Sequence, residues 1–205
     1  MWLFNLFKKK SKPNKLKKIL VVGLGNIGEE FYETRHNIGF EILDNLIKLQ
    51  NKKFEIAKYA LKASFRFKGR FFLCIKPTTY MNLSGKAVKY WIQKEKIDLK
   101  NLLIITDDLN IPFCQLRLRT KGSSGGHNGL KNIEDYLNNS NYSRLRFGIG
   151  IGNKKNASQV DFVLGKWTEN EKKSLNKFVT ESCKLILSYG TDGPEKTMNN
   201  FNSKP

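Results

Sequence analysis

The sequence predicts a single α/β domain whose polar residues gather in loops at strand ends. Short apolar runs, Ile19-Leu20-Val21-Val22, Phe71-Phe72-Leu73-Cys74-Ile75 and Leu102-Leu103-Ile104-Ile105, alternate with segments whose apolar residues recur at helical spacing. Each run ends in residues that punctuate structure: glycine, proline or paired aspartates. A chain of 205 residues, 40% hydrophobic and 12% aromatic, is also long enough to bury one core without dividing.

The first run delivers a buried-type strand into Gly23 to Gly39, which reads GLGNIGEEFYETRHNIG. Gly23, Gly25 and Gly28 fit the G-x-G-x-x-G pattern, so a dinucleotide-binding oxidoreductase is one alternative. That fingerprint requires a helix opening at the glycines and an acidic residue about 20 positions on, at the end of a second strand. Here the helical spacing begins only at Ile38, with Ile42, Leu43, Leu46 and Ile47, and Glu41 and Asp44 lie inside it. His36 therefore sits between a strand end and a helix start. The chain has two histidines, and the other, His127, lies in a second glycine-rich stretch, so imidazole chemistry must use one of them.

Phe54 to Lys68 and Phe71 to Ile75 read as two strands joined by a tight turn at Gly69-Arg70. Pro77 stops the second strand, and Ser84 is placed to cap a helix bearing Ala87, Val88, Trp91 and Ile92. Asn82 thus occupies another loop between strand and helix. Leu102 to Thr106 ends in Asp107-Asp108, a pair suited to orienting a histidine, binding a metal or facing water; no clustered ligand set supports the metal. Leu116-Arg117-Leu118-Arg119 and Arg144-Leu145-Arg146 alternate apolar and basic residues, as two strands lining one positively charged surface would. Between them, Lys121 to Leu130 forms a glycine- and serine-rich loop before a helix, an arrangement that offers backbone N–H groups to an anion. Thr168-x-x-Glu171 has the form of a capping box opening a long amphipathic helix to Gly190, and Pro194 opens a last short one.

A formal charge of +19 favours a polyanionic partner, nucleic acid before a membrane surface. Residues 1–18 combine an apolar start with Lys8, Lys9, Lys10, Lys12, Lys15, Lys17 and Lys18 and no acid, and read as a disordered extension preceding a domain at 19–201. Such an arm suits contact with a ribosome or an anionic membrane. It has no cleavage site of a secretory signal. Three cysteines without metal-type spacing fit reduced thiols in a cytoplasmic protein.

Together, Gly-Leu-Gly-Asn-Ile-Gly at 23–28, Thr-Arg-His-Asn at 34–37, Lys-Pro-Thr-Thr-Tyr-Met-Asn-Leu-Ser-Gly at 76–85, Asp-Asp-Leu at 107–109, Gly-Gly-His-Asn-Gly-Leu at 125–130 and Arg-Leu-Arg-Phe-Gly-Ile-Gly at 144–150 resemble the bacterial peptidyl-tRNA hydrolases. The motifs run in order and at that family's spacings from about residue 16 to residue 201. The resemblance implies a twisted mixed β-sheet flanked by helices, in a monomer that hydrolyses the ester between a peptide and the 3′-terminal ribose of tRNA with no metal or cofactor. It puts His36 at the general-base position and Asp107 at that of the carboxylate orienting it. Asn26, Phe31, Met81, Asn82, His127 and Asn128 take substrate-binding positions, and Arg117, Arg119 and Arg146 those that meet tRNA phosphate. Ile27, Phe31 and Asn110 depart from the family's usual proline, tyrosine and aspartate. A non-catalytic tRNA-binding module is the other alternative. No serine or cysteine nucleophile motif is present, which favours direct attack by water.

Overall fold

The computed structural model describes residues 16–150 and 158–202. The lysine-rich extension, apart from its last residues, lies outside them. Seven strands form one mixed sheet in the order β2-β3-β4-β1-β5-β7-β6. These are β1 (Lys18–Gly23), β2 (Glu55–Ala57), β3 (Ala60–Phe67), β4 (Arg70–Pro77), β5 (Leu102–Asp108), β6 (Leu116–Arg119) and β7 (Ser143–Gly148). The central strands β4, β1, β5 and β7 are parallel, and antiparallel partners close both edges. A parallel strand covered on both faces should be apolar almost throughout, and β5 is buried at every position, Asp107 and Asp108 included.

Helices cover both faces. Ile19, Val21, Leu103, Ile105, Leu145 and Phe147 point into a core closed by α1 (Ile38–Leu49) and α5 (Glu169–Asp192). Their alternating neighbours Leu20, Val22, Leu102 and Ile104 point into a second core beneath α2 (Ser84–Glu95) and α3 (Asn128–Leu137). The period-2 alternation of a strand divides one sequence between two cores in this way. The α4 helix (Gln159–Leu164) lies against the turn preceding α1, and α6 (Pro194–Phe201) packs on β6. Among the described residues no helix is long and apolar enough to cross a membrane.

Four sequence expectations change. Lys18 is the first residue of β1, paired with Phe71, so the extension ends one residue earlier. A third short strand, β2, precedes the expected hairpin. Ser84 does not cap α2: a 3-10 turn at Met81–Leu83 runs into the helix, and the Ser84 hydroxyl donates to the Met81 carbonyl at 2.9 Å. The long helix passes Gly190 and ends at Asp192, before Gly193 at φ 88°. Gly190 is a contact glycine, since a Cβ there would overlap the ring of Phe72. The Thr168 and Glu171 capping box is present, and Pro194 opens α6 as expected. Cys74, Cys114 and Cys183 are all buried and free. Burial pushes the Cys114 and Cys183 thiols up to about 12, which makes them poor nucleophiles.

Candidate active site

The site forms at the carboxyl ends of β1 and β5, where loops of open α/β sheets gather. After β1 the chain does not enter a helix at the glycines. It makes 3-10 turns at Glu29–Phe31 and Arg35–Asn37 before α1 begins, so the glycine pattern does not build a dinucleotide turn. Gly23 and Gly39 instead let the end of β1 and the start of α1 meet backbone to backbone: a Cβ on Gly39 would fall on the Leu24 backbone and the Ile105 carbonyl. Because α1 starts against the strand ends, the turn just before it holds His36 over β5.

That turn is anchored from behind. Arg35 is buried and donates through Nε and an NH2 group to the two carboxylate oxygens of Glu171, at 3.3 and 2.7 Å, and to the Phe162 carbonyl at 3.2 Å. Its guanidinium also lies over the rings of Phe162 and Trp167. Asn37 is buried too and clamps the glycine loop, accepting from the Asn26 N–H at 2.8 Å and donating to the Asn26 carbonyl at 2.9 Å. The Asn26 side chain passes the restraint on by accepting from the Met81 N–H at 2.7 Å.

At the centre, the His36 Nδ1 lies 2.9 and 3.0 Å from the two carboxylate oxygens of Asp107. On the other side, the His127 Nε2 lies 3.0 Å from Asp107 Oδ1. The protons can be assigned from the surroundings. His127 caps α3, and its Nδ1 accepts the N–H groups of Gly129 and Leu130 at 3.1 and 3.3 Å, so the ring proton must sit on Nε2 and point at Asp107. Asp107 can only accept, which puts the His36 proton on Nδ1 and leaves His36 Nε2 with a free lone pair. Burial alone would raise the Asp107 pKa. The flanking imidazoles outweigh it through charge and hydrogen bonds and hold the carboxyl well below the usual carboxylate range. The two rings stand 4.9 Å apart between centroids.

His36, Asp107 and His127 are also a metal-type trio, with ligand atoms all within 4.8 Å of one another. The sequence showed no such cluster because its members are far apart in the chain. Their mutual hydrogen bonds account for the grouping. The cap also occupies two of the N–H groups that the loop before α3 was expected to offer an anion.

The trio borders a cleft of about 240 Å³, lined also by Asp108, Asn110, Ser124, Asn128, Gln159 and Val160. Of the sequence-nominated residues, His36, Asp107, His127 and Asn128 meet at this cleft. Asn26 and Met81 are buried and linked to each other, and a Cβ on Gly129 would touch the Met81 sulfur and the His127 ring. Asn82 is exposed on the turn before α2, and Phe31 is half-buried on a turn of its own. Arg117 pairs across strands with Arg146, and Arg119 with Arg144, so β6 and β7 do share a basic face. Arg146 Nε is bonded to Asp108 at the cleft margin. Arg144 leaves the expected surface: it is 2% exposed, stacks over Tyr142, donates to the Ser123 and Ser140 carbonyls and pairs with Glu134 of α3 at 3.4 Å. Arg35 and Asn37 act here without having been given a role of their own, their only sequence signal being adjacency to His36; Asp108, one half of the carboxylate pair, takes Arg146 as its partner.

A family model described as peptidyl-tRNA hydrolase matches residues 20–205. A peptidyl-tRNA hydrolase of Cytophaga hutchinsonii is 50% identical over 187 residues, 91% of this chain and 99% of its own length. One of Phocaeicola vulgatus is also 50% identical over 187 residues, 91% of this chain and all of its own length. The crystal structure of peptidyl-tRNA hydrolase from Acinetobacter baumannii superposes with a TM-score of 0.82 at 30% identity, covering 90% of this chain and 94% of that one. The chain belongs to the peptidyl-tRNA hydrolase family.

Proposed function

We propose that the cleft hydrolyses the ester linking a peptide to the 3′-terminal ribose of tRNA, with His36 Nε2 as general base on a water molecule. One observation carries this reading: His36 Nδ1 is held by a buried carboxylate at the edge of the cleft, which leaves the opposite nitrogen as the only basic one on that ring. As the water attacks the ester carbonyl, its proton passes to His36 Nε2 and Asp107 stabilises the resulting imidazolium, the division of labour of a catalytic triad without its serine. His127, held by its helix cap, keeps Asp107 from turning away. The carbonyl oxygen becomes an oxyanion, for which Asn128, one of the amides lining the cleft, supplies side-chain N–H donors. Collapse expels the ribose 3′-oxygen, which takes the proton back from His36, giving free peptide and free tRNA.

Asn26 and Met81 shape the floor behind His127, while Asn82 and Phe31 meet the substrate at its margins. Arg117 and Arg119 face tRNA phosphate, with Arg146 contributing the amino groups that its Asp108 bond leaves over. The protein works as a cytoplasmic monomer, and the lysine-rich extension adds contact with a ribosome or an anionic membrane, so deleting residues 1–15 should spare hydrolysis of purified substrate. The deciding experiment incubates the protein with N-acyl-aminoacyl-tRNA in EDTA and follows release of the acyl-amino acid. Release at an unchanged rate with chelator is expected. Binding without release would make the chain a tRNA-binding module, and loss of release with EDTA would assign the trio to a metal.

A further inference from the structure

A second feature stands on the other side of the cleft from the arginine face. The β2–β3 hairpin turns through Lys58 and Tyr59, between the paired residues Ala57 and Ala60. Tyr59 sits at φ 62°, a left-handed conformation that glycine or asparagine adopts at less cost than a tyrosine. What the tyrosine gains is contact with α2. Its ring meets that of Tyr90 edge to face at 5.5 Å, Tyr90 meets Trp91 in the same way at 5.4 Å, and Trp91 Nε1 donates to the Lys58 carbonyl at 3.1 Å.

Three lysines rest on this ladder of rings. Lys58 Nζ lies 5.4 and 5.2 Å from the Tyr59 and Tyr90 centroids, Lys86 Nζ 4.6 Å from Tyr59, and Lys94 Nζ 4.7 Å from Trp91. All three lysines are exposed. None of them forms an ion pair among the described residues, although Lys18, Lys62 and Lys100 nearby do. A lysine usually loses rotamer freedom when it binds an anion. Cations already seated on rings have lost part of it, which suits a standing polyanion site better than a solvated surface.

Position selects the polyanion. Lys86, Tyr90 and Lys94 recur one turn apart on α2, a track roughly 12 Å long. The Tyr59 carbonyl accepts from the Thr78 N–H at 3.0 Å, just past the end of β4. The hairpin tip and the start of α2 therefore lie at the same end of the sheet as Asp107, and the track runs away from the cleft along the helix.

We propose that Lys58, Lys86 and Lys94, seated on Tyr59, Tyr90 and Trp91, form a second RNA-binding surface that holds the backbone phosphates of the substrate's tRNA beyond its 3′ end. This rests on the peptidyl-tRNA hydrolase reading above. The test compares wild type, K58Q/K86Q/K94Q and the charge-retaining K58R/K86R/K94R on two substrates bearing the same N-acyl-aminoacyl ester: full-length tRNA and a short 3′-terminal oligonucleotide. Unfolding midpoints are checked for all three proteins, and binding of uncharged tRNA is measured against salt. For the glutamine variant, KM on full-length substrate should rise several-fold with kcat unchanged, and KM on the oligonucleotide should stay at the wild-type value. The log–log salt slope should flatten by about 0.7 to 0.9 for each phosphate that is no longer neutralised. The arginine variant should behave as wild type. Unchanged KM and slope would overturn the proposal, as would an equal rise on both substrates or a defect confined to co-sedimentation with ribosomes. Failure of the wild-type protein to hydrolyse either substrate would instead refute the reading on which the surface depends.

Discussion

Asp107 is the residue on which the site turns, because it accepts from two imidazoles at once. An asparagine there has one oxygen to accept with and an amide to donate. Its oxygen, at the Oδ1 position that both rings reach, can still accept from both, but its amide then stands 3.0 Å from His36 Nδ1 in place of Oδ2 and opposes the proton there, pushing His36 towards the tautomer that protonates Nε2. Asp107→Asn should lower kcat by roughly 10² to 10⁴, the usual span of general-base assistance, with tRNA affinity retained. A pH dependence follows as well. The folded pKa of Asp107 lies below its unfolded value, so the carboxylate contributes stability above about 3.9 and loses it as pH falls through that value towards the folded one. The gap in unfolding free energy between wild type and Asp107→Asn should narrow below that pH in urea titrations. A constant gap would detach the depressed pKa from folding. His36 and Asp107 could be matched in the sequence through their motifs. The second imidazole on the same carboxylate could not, since it depends on a helix cap arriving from the far side of β5.

At the scale of elements, the site depends on α1 starting hard against β1 and β5. Gly39→Ala puts a methyl group onto the Leu24 backbone and the Ile105 carbonyl, atoms that cannot move aside as a side chain can. A destabilisation of about 1–3 kcal/mol is expected from overpacking, with a fall in kcat because His36 shifts with the helix. Denaturant unfolding and steady-state kinetics check it, and a variant as stable and active as wild type would mean the helix start is free to adjust. The strands and main helices were legible because apolar period and turn residues agree along most of the chain. Ser84 was not, because Ser and Thr near a helix start usually cap it, whereas here a 3-10 turn carries the chain into α2 and the hydroxyl bonds backwards. Nor was the burial of Arg144, because alternation assigns a face of the sheet and says nothing of what covers that face.

Over the whole molecule, an excess of 37 basic over 18 acidic residues makes salt the natural probe of binding. Arg117 and Arg119 have no acidic partner among the described residues, whereas Arg146 is held by Asp108. Replacing Arg117 or Arg119 with glutamine should therefore flatten the log–log salt dependence of tRNA binding by about 0.7 to 0.9 each and raise KM more than it lowers kcat. Arg146→Gln should also lower kcat, since it frees Asp108 at the cleft margin. Slopes unchanged from wild type in all three variants would leave the β6–β7 edge as ordinary solvated surface. The bulk charge pointed to nucleic acid from composition alone. Its arrangement on two sides of one cleft needed the sheet order, which sequence neighbours do not reveal.

Single-turnover hydrolysis of N-acyl-aminoacyl-tRNA by His36→Ala beside wild type, with tRNA affinity measured on the same preparations, bears most directly on the assignment of the base. A fall of roughly 10² to 10⁴ in rate at unchanged affinity is expected if His36 Nε2 takes the proton from water. Turnover within a few-fold of wild type would contradict it and move the search for the base to His127.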